Sequence, residues 1–256
     1  MKIPLITLLV TVAHTFTSMA NDAPAPKGAR FIHDLQAGKK VTIVTMGTSL
    51  SNAWPGVMMG DWLTPDFPGQ VTFFNECVGA SSTAMGPGGD RSLSGLGKLP
   101  AAIAHRPDVI FIEFGTNDAY LPYNISLEES KKNLNTIIDA ILAANPKTEI
   151  ILQTMNSCLD QDVGDKHASL RPRLAEYFQI HRDVAKERNL LLVDHYPKWL
   201  KLMTEDPALF DKLVPDRVHP EAEGYRAVFL PTLKAALMPG SQIGSKKPDT
   251  PAPSPR

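Results

Sequence analysis

The chain has 256 residues, of which 43% are hydrophobic and 21% charged, and its formal net charge is -1. This composition is that of an ordinary globular domain. The near-neutral charge and the lack of a Lys/Arg-rich block argue against nucleic acid or anionic lipid as a partner. Once two terminal segments are set aside, roughly 200 residues remain, which is the length of one domain or at most two small ones.

The N-terminus has the features of a secretory signal peptide. Lys2 supplies a short positive region, and residues 3–16 are mostly apolar but too few to span a bilayer as a helix. Small residues before position 21 suit cleavage after Ala20. The alternative, a membrane anchor, is disfavoured because the run is short and His14 interrupts it. We therefore predict a signal peptide over residues 1–20 and a secreted or periplasmic protein with no stable membrane insertion after cleavage.

Two further segments are assigned to the ends of the domain. Residues 21–38, which begin "NDAPAPK", are interpreted as an N-terminal leader. Residues 239–256, "PGSQIGSKKPDTPAPSPR", are rich in Pro, Ser and Lys and have no apolar face, which predicts a disordered tail. The folded domain is thus expected over residues 39–238.

Five apolar runs within the domain predict buried β-strands. Several runs are continuous rather than alternating, as expected when helices cover both faces of a parallel sheet. The predicted strands are "VTIVTM" (41–46), "VTFFNECV" (71–78), "VIFIEF" (109–114), "EIILQT" (149–154) and "LLLVDHY" (190–196).

Helical patterns alternate with these strands. Ser126 and Glu129 form a capping box before an amphipathic helix that ends ahead of Pro146. Three more helices are predicted over 97–106, 171–189 and 220–237, the last interrupted at Pro231. The alternation predicts an α/β fold: a three-layer α/β/α sandwich around a flavodoxin-like, five-stranded parallel sheet.

The two cysteines are expected to be free and buried. Cys77 and Cys158 fall at the ends of the second and fourth strands, which are not neighbours in this strand order. Bridged cysteines need Cα atoms within about 7 Å. An exported protein could hold a disulfide, but this pair is poorly placed for one.

Polar residues and glycines follow the first three strands. Gly47-Thr48-Ser49 follows the first, Gly79-Ala80-Ser81 the second and Gly115-Thr116-Asn117-Asp118 the third. Ligands of such sheets bind beyond the carboxyl ends of the strands. The sequence therefore predicts a functional site at this rim.

Three motifs are each ambiguous alone but together indicate a catalytic site. Ser49, which opens a helix after a glycine turn, can be a nucleophile or a helix N-cap. Asp216 and His219 can be an acid–base pair, in which the carboxylate sets the imidazole tautomer, or a helix cap with an incidental histidine. Asn117 can donate to an oxyanion while Asp118 ties the loop down, or the two can form an ordinary Asn-Asp turn. Their chain order favours a nucleophilic site.

With these motifs the sequence resembles the SGNH hydrolases, also called the GDSL esterase/lipase family, over residues 40–237. The family's Gly-Asp-Ser-Leu block reads Gly47-Thr48-Ser49-Leu50 here, and its Gly-x-Asn-Asp block is Gly115-Thr116-Asn117-Asp118. Its Asp-x-x-His-Pro block corresponds to Asp216, His219 and Pro220. Its Asn-x-x-x-x-Gly block begins at Asn75 and places Ala80 at the glycine, with Gly79 as the alternative shifted by one residue.

The resemblance implies the SGNH hydrolase fold and a serine esterase without metal or other cofactor. Ser49 would be the nucleophile, His219 the base and Asp216 the acid that stabilises the imidazolium. The implied oxyanion donors are the backbone N–H groups of Ser49 and of Ala80 or Gly79, with the amide of Asn117. The supporting residues would be Gly115, Asp118 and Asn75. Thr48, in place of the family's aspartate, removes a charge beside the serine but no step of the mechanism.

The resemblance also favours a short-chain carbohydrate ester, especially an acetyl ester of a polysaccharide, as substrate. The expected substrate is thus a small-molecule or polysaccharide ester. The sequence lacks a long apolar lid, which disfavours a true lipase. Trp54, Trp62 and residues 85–97 are expected to line an open cleft, with core packing as the alternative for the tryptophans. His167 and Arg171 either contact substrate or lie on a solvated loop. The alternative functions are a thioesterase or lysophospholipase on the same triad, and a non-catalytic carbohydrate-binding module.

Overall fold

The computed structural model describes residues 28–159 and 170–240. The predicted signal peptide, residues 21–27 of the predicted leader, His167 and the tail beyond residue 240 lie outside the described residues. The strands of the central sheet are β1 (Val41–Gly47), β2 (Val71–Asn75), β3 (Val109–Glu113), β4 (Glu149–Gln153) and β5 (Leu191–Val193).

All pairings in the sheet are parallel, and the strand order is β2-β1-β3-β4-β5. Helices cover both sides, so the predicted α/β/α sandwich with a flavodoxin-like sheet is confirmed. Every residue of β3 is buried, whereas the edge strand β2 has no fully buried residue. The central strands are continuously apolar because both of their faces are covered.

The helices follow the strands in alternation, as the sequence predicts. They are α1 (Arg30–Gln36), α2 (Leu50–Met58), α3 (Thr64–Asp66), α4 (Gly95–Ala104), α5 (Gly115–Asp118), α6 (Leu127–Ala144), α7 (Leu174–Glu187), α8 (Tyr196–Glu205), α9 (Pro207–Leu213), α10 (Ala222–Gly224) and α11 (Leu230–Leu237). Short 3-10 turns span Pro87–Gly89, Arg91–Leu93 and Leu121–Tyr123. The Ser126 hydroxyl accepts the Glu129 N–H at 3.1 Å, so the predicted cap of α6 is confirmed. None of the described helices is long and apolar enough to cross a membrane.

Proline explains two π-helical turns in the structure. Met59–Leu63 joins α2 to α3, and Tyr225–Phe229 joins α10 to α11. Each π turn directly precedes a helix with a proline in its first turn, Pro65 or Pro231. In a regular helix the proline ring would collide with the carbonyl four residues earlier, which lies within the π turn in both cases. Pro231 therefore reshapes the C-terminal helix instead of interrupting it.

Part of the predicted leader belongs to the packed domain. Residues 30–36 form α1, and Phe31, Ile32 and Leu35 are buried. The Glu149 carboxylate, at the start of β4, accepts the N–H groups of Arg30 at 2.7 Å and Phe31 at 2.8 Å. These bonds supply acceptors for the first N–H groups of the helix. The chain is therefore packed on the core well before residue 39.

Both cysteines are free thiols. Cys158 is buried, whereas Cys77 is only partly buried on the loop after β2. Burial raises the pKa of Cys158 to about 12. This thiol is thus protonated at neutral pH and unsuited to act as a nucleophile.

Candidate active site

The sequence-predicted residues meet in one cavity at the carboxyl ends of the strands. Ser49 follows β1 at the start of α2, Asn117 lies in α5 after β3, and His219 lies on the loop before α10. The cavity has a volume of about 690 Å³. It is lined by Ser49, Leu50, Gly79, Ala80, Thr116, Asn117, Tyr120, Tyr123, Arg171, Asp216, Val218 and His219.

Ser49, His219 and Asp216 form a chain of hydrogen bonds. The Ser49 Oγ lies 2.9 Å from His219 Nε2, and His219 Nδ1 lies 2.6 Å from Asp216 Oδ2. Asp216 Oδ1 also accepts the backbone N–H groups of Val218 at 2.8 Å and His219 at 2.6 Å. Two backbone donors hold the carboxylate in place, so the tight Asp-x-x-His turn sets the orientation of the imidazole.

The charge of Asp216 determines the tautomer of His219. Partial desolvation raises the pKa of Asp216, but hydrogen bonds from the His219 backbone and ring and from Val218 outweigh it and leave that pKa below its usual value. Asp216 is therefore ionised at neutral pH and accepts a hydrogen bond from the N–H of His219 Nδ1. The Nε2 lone pair then faces Ser49 and can accept the proton of its hydroxyl.

The loop after β2 borders the cavity opposite the serine. Within the described residues, the backbone N–H groups of Ser49, Gly79 and Ala80 donate no hydrogen bond. A Cβ built on Gly79 would lie 4.0 Å from Cβ of Ser49. Both candidates for the second backbone donor therefore line the cavity.

Ala80 lies in the left-handed region of backbone conformation. Its φ is +54°, a value that favours glycine, and the Ser81 N–H closes the turn on the Val78 carbonyl at 3.2 Å. The Tyr123 hydroxyl donates to the carbonyl oxygen of Ala80. An alanine thus occupies a conformation that favours glycine, and the Tyr123 hydroxyl holds the turn in place.

The side chain of Asn117 is held on both ends of its amide. Its Nδ2 donates to the carbonyl of Ser81 at 2.8 Å, and its Oδ1 accepts from Arg171 Nη2 at 3.1 Å. Arg171 also donates from Nε to the Thr116 carbonyl at 2.9 Å. The sequence offered Arg171 only as a substrate contact or a loop residue, because nothing in its local motif links it to Asn117.

A buried carboxylate that the sequence missed lies beneath the serine turn. Glu113, the last residue of β3, accepts from Thr48 Oγ1 at 2.8 Å, Ser51 Oγ at 3.3 Å and the Thr116 N–H at 3.1 Å. Burial raises its pKa, while these hydrogen bonds act in the opposite direction. The only signal in sequence was a lone glutamate within a buried apolar run.

The three supporting residues of the prediction do not line the cavity. Asp118 is buried and accepts from the Thr83 N–H at 2.8 Å, Thr83 Oγ1 at 3.0 Å and Ser130 Oγ at 2.6 Å, and desolvation raises its pKa to about 7. Asn75 Oδ1 accepts from Thr45 Oγ1 and the Cys77 N–H, both at 3.0 Å. A Cβ on Gly115 would lie 2.9 Å from Phe178, so no side chain fits there. These residues tie the rim loops to the sheet and helices.

Of the two interpretations of the tryptophans, core packing is confirmed and the tryptophan-lined cleft is wrong. Trp54 and Trp62 are fully buried, and Trp54 stacks on Phe229 with ring centroids 5.0 Å apart. Residues 85–97 do not line the cavity either. The aromatic wall comes instead from Tyr120 and Tyr123, which directly follow the Gly-x-Asn-Asp block. Among the described residues, no cluster of three or more His, Cys, Asp or Glu side chains could hold a metal ion.

Comparison with known proteins identifies the family. Residues 35–227 match the model of the GDSL-like lipase/acylhydrolase family. No curated protein matches the chain at a significant level of sequence similarity.

Solved structures share the fold at low sequence identity. An acetylxylan esterase from Geobacillus stearothermophilus is 19% identical, with a TM-score of 0.61 over 78% of this chain and 95% of that one. A protein from Parabacteroides merdae described as a GDSL-like lipase is 16% identical, with a TM-score of 0.63 over 84% and 99%. A lipase/acylhydrolase from Enterococcus faecalis is 24% identical, with a TM-score of 0.57 over 77% and 95%. With the family match across most of the domain, the chain belongs to the GDSL-like lipase/acylhydrolase family and is an SGNH-type ester hydrolase.

Proposed function

We propose that the protein is a secreted serine esterase that cleaves short-chain carboxylic esters, in particular acetyl esters of carbohydrates, through an acyl-enzyme on Ser49. The observation that carries this proposal is the hydrogen-bond chain from Ser49 through His219 to Asp216. Its distances suit transfer of the serine proton to Nε2 as the oxygen attacks.

The first half of the reaction forms the acyl-enzyme. Ser49 Oγ adds to the ester carbonyl while His219 Nε2 takes the hydroxyl proton, and Asp216 stabilises the imidazolium. The resulting oxyanion accepts hydrogen bonds from the backbone N–H groups of Ser49 and of Ala80 or Gly79, and from the amide of Asn117. Collapse of the tetrahedral intermediate breaks the ester C–O bond, and His219 returns its proton to the departing alcohol.

The second half releases the acid. Water adds to the acyl carbon and gives a proton to His219 Nε2. The bond between the acyl carbon and Ser49 Oγ then breaks, and Oγ recovers the proton from the imidazolium. Acyl transfer to water is complete without a redox step or a bound cofactor.

Two features support a polar, sugar-linked substrate. The cavity is bordered by Tyr120, Tyr123 and Arg171, so aromatic faces and polar groups flank the serine. An acetylxylan esterase is among the proteins that share the fold. Export is supported by the N-terminal sequence, with Lys2, an apolar run and small residues up to Ala20.

The test is hydrolysis of p-nitrophenyl acetate by purified variants. Ser49→Ala and His219→Ala should each lower kcat by about 10⁴-fold or more, because the serine and histidine act as one unit. His33→Ala, a change at another exposed histidine, is the matched control and should keep full activity. Each variant should melt at nearly the parent temperature.

The same experiment separates the alternatives. Full activity of Ser49→Ala would contradict the serine mechanism. Failure of a fluorophosphonate probe to label Ser49 in the folded parent would favour a carbohydrate-binding module. Acetylated sugars, acyl thioesters and lysophospholipids, compared by kcat/KM, distinguish a carbohydrate esterase from a thioesterase or lysophospholipase.

A further inference from the structure

Arg171 holds the turn that carries Asn117 at two points. Its Nε donates to the carbonyl of Thr116 at 2.9 Å, and its Nη2 donates to Asn117 Oδ1 at 3.1 Å. The guanidinium lies over the ring of Tyr120, 4.7 Å from the ring centroid. Arg171 thus reaches across 54 positions in sequence to brace α5 from the segment before α7.

These contacts select one orientation of the Asn117 amide. The carbonyl of Ser81 accepts from Nδ2 at 2.8 Å, and the guanidinium donates to Oδ1. Reversing the amide would set oxygen against the Ser81 carbonyl and an NH2 group against the guanidinium, which loses both hydrogen bonds. Because Asn117 is buried, that loss would be costly.

The guanidinium also changes the strength of the amide as a donor. A charge-assisted hydrogen bond to Oδ1 draws electron density from the amide nitrogen, and hydrogen bonds in such chains strengthen one another. One N–H of Nδ2 is bound to Ser81, so its second N–H is the one that can turn to an oxyanion. The positive charge of Arg171 acts on that N–H through the amide.

We propose that Arg171 is a positioning residue of the oxyanion hole: it fixes and polarises the Asn117 amide that stabilises the tetrahedral intermediate. This inference rests on the proposed function. It differs from a substrate contact, because Nε and Nη2 of this cavity-lining side chain are hydrogen-bonded to the protein turn.

The first experiment compares steady-state kinetics on p-nitrophenyl acetate. Loss of a direct oxyanion donor lowers kcat by about 10²–10³-fold, so Arg171→Ala, which acts through that donor, should lower it by about 10–100-fold. KM should stay nearly constant, since the contact matters in the transition state. Arg171→Lys should lie between the two, because an ammonium keeps the charge but not the planar fork.

A matched control comes from the same segment. Arg173 is exposed and is bonded to Glu176 at 2.8 and 2.7 Å, away from the cavity. Arg173→Ala should keep the parent kcat and KM. An equal loss of kcat in Arg171→Ala and Arg173→Ala would overturn the proposal, because it would show an unspecific effect on this segment.

A double-mutant cycle tests the route of the effect. In an Asn117→Ala background, Arg171→Ala should cause no further loss of kcat, because its only path to the oxyanion has been removed. Fold-losses that multiply, or a raised KM with unchanged kcat, would overturn the proposal in favour of direct substrate contact. If Arg171→Ala does not fold, as judged by thermal melting, Arg171→Lys replaces it in the cycle with the same expectation. An inactive parent would refute the proposed function instead, so the two failures are distinguishable.

Discussion

Thr48 stands where the resembled family has an aspartate, and a carboxylate reaches the same spot from another strand. Glu113 Oε2 accepts the Thr48 hydroxyl at 2.8 Å and the Ser51 hydroxyl at 3.3 Å, and all three side chains are buried. The carboxyl group beneath the serine turn is therefore supplied by β3, and burial raises its pKa. The hydroxyl of Thr48 is one of the donors to this group.

Restoring the family's aspartate should harm this protein. Thr48→Asp would place a second buried carboxyl group against Glu113 and remove the Thr48 hydroxyl as its donor. Burial of another ionisable group and the loss of a hydrogen bond in a desolvated site should lower the free energy of unfolding by about 2–4 kcal/mol. Urea denaturation at pH 7 measures the change.

The same pair offers its own control. Adding Glu113→Gln to Thr48→Asp replaces one carboxylate by an amide that can donate to the new aspartate. The double variant should recover part of the lost stability. A Thr48→Asp variant as stable as the parent would show that the Thr48–Glu113 hydrogen bond contributes little to stability.

At the scale of single residues, the sequence predicts what is local and misses what is distant. Ala80, which the register aligns with the family's glycine, has a positive φ, and the choice between Ala80 and Gly79 as oxyanion donor stays a prediction. Asp216 and His219 are three positions apart, so their contact follows from local turn geometry. Glu113 and Arg171 lie 65 and 54 positions from Thr48 and Asn117, and no local pattern relates them.

Among the elements, the central strands were predicted within a residue or two because burial on both faces makes them continuously apolar. β2 and β5 were predicted too long. Beyond Asn75, the N–H groups of Glu76 and Val78 still donate to the β1 carbonyls of Thr45 and Gly47, although the strand itself has ended. After Val193 the chain turns within two residues into α8, which begins at Tyr196.

The two helices α8 and α9 were not predicted, and their packing explains why. Trp199 is the only buried residue of α8. It packs with Phe210, Leu213 and Val214 in a small cluster apart from the main core. Both helices are short, and most of their buried side chains face this small cluster and not the sheet.

Helix α1 allows a test of where the packed domain begins. A chain that starts at Gly28 keeps α1, whereas one that starts at Lys39 loses the buried Phe31, Ile32 and Leu35. Burial of each such side chain contributes about 1.5–3 kcal/mol before the entropy of ordering the helix is subtracted, so the shorter chain should be several kcal/mol less stable. Thermal melting of both chains measures the difference. Equal melting temperatures would show that α1 does not contribute to the stability of the domain.

For the molecule as a whole, buried ionisable groups shape the dependence of stability on pH. Burial lowers the pKa of His195 to about 3, and burial, together with the charge of Arg182, lowers that of His181 to about 4. Below about pH 6.5 the unfolded chain takes up protons at these histidines that the folded chain refuses, so stability falls on acidification. Asp118, with a pKa raised to about 7, acts in the opposite sense.

The contribution of His195 to this dependence of stability on pH can be measured with one variant. The ring of His195 stacks on Phe229 at 3.8 Å, and His195→Phe keeps an aromatic ring there without a titrating group. As pH falls from about 6 to about 4, the parent should lose stability relative to the variant by about 1.4 kcal/mol per pH unit. Denaturant unfolding at several pH values measures this slope, to which any packing difference adds only a constant. A difference that does not vary with pH would contradict the neutral state of His195.

The hydrogen bond between Ser49 and His219 joins residues 170 positions apart. Ser49 follows the first strand of the chain, whereas His219 comes after the last. A ribosome therefore completes all five strands before it makes the histidine, and an unfinished chain holds a serine without its base. An incomplete chain therefore cannot hydrolyse esters by this mechanism. In a refolding experiment, the rate at which activity returns would report the docking of the C-terminal segment and not the assembly of the sheet.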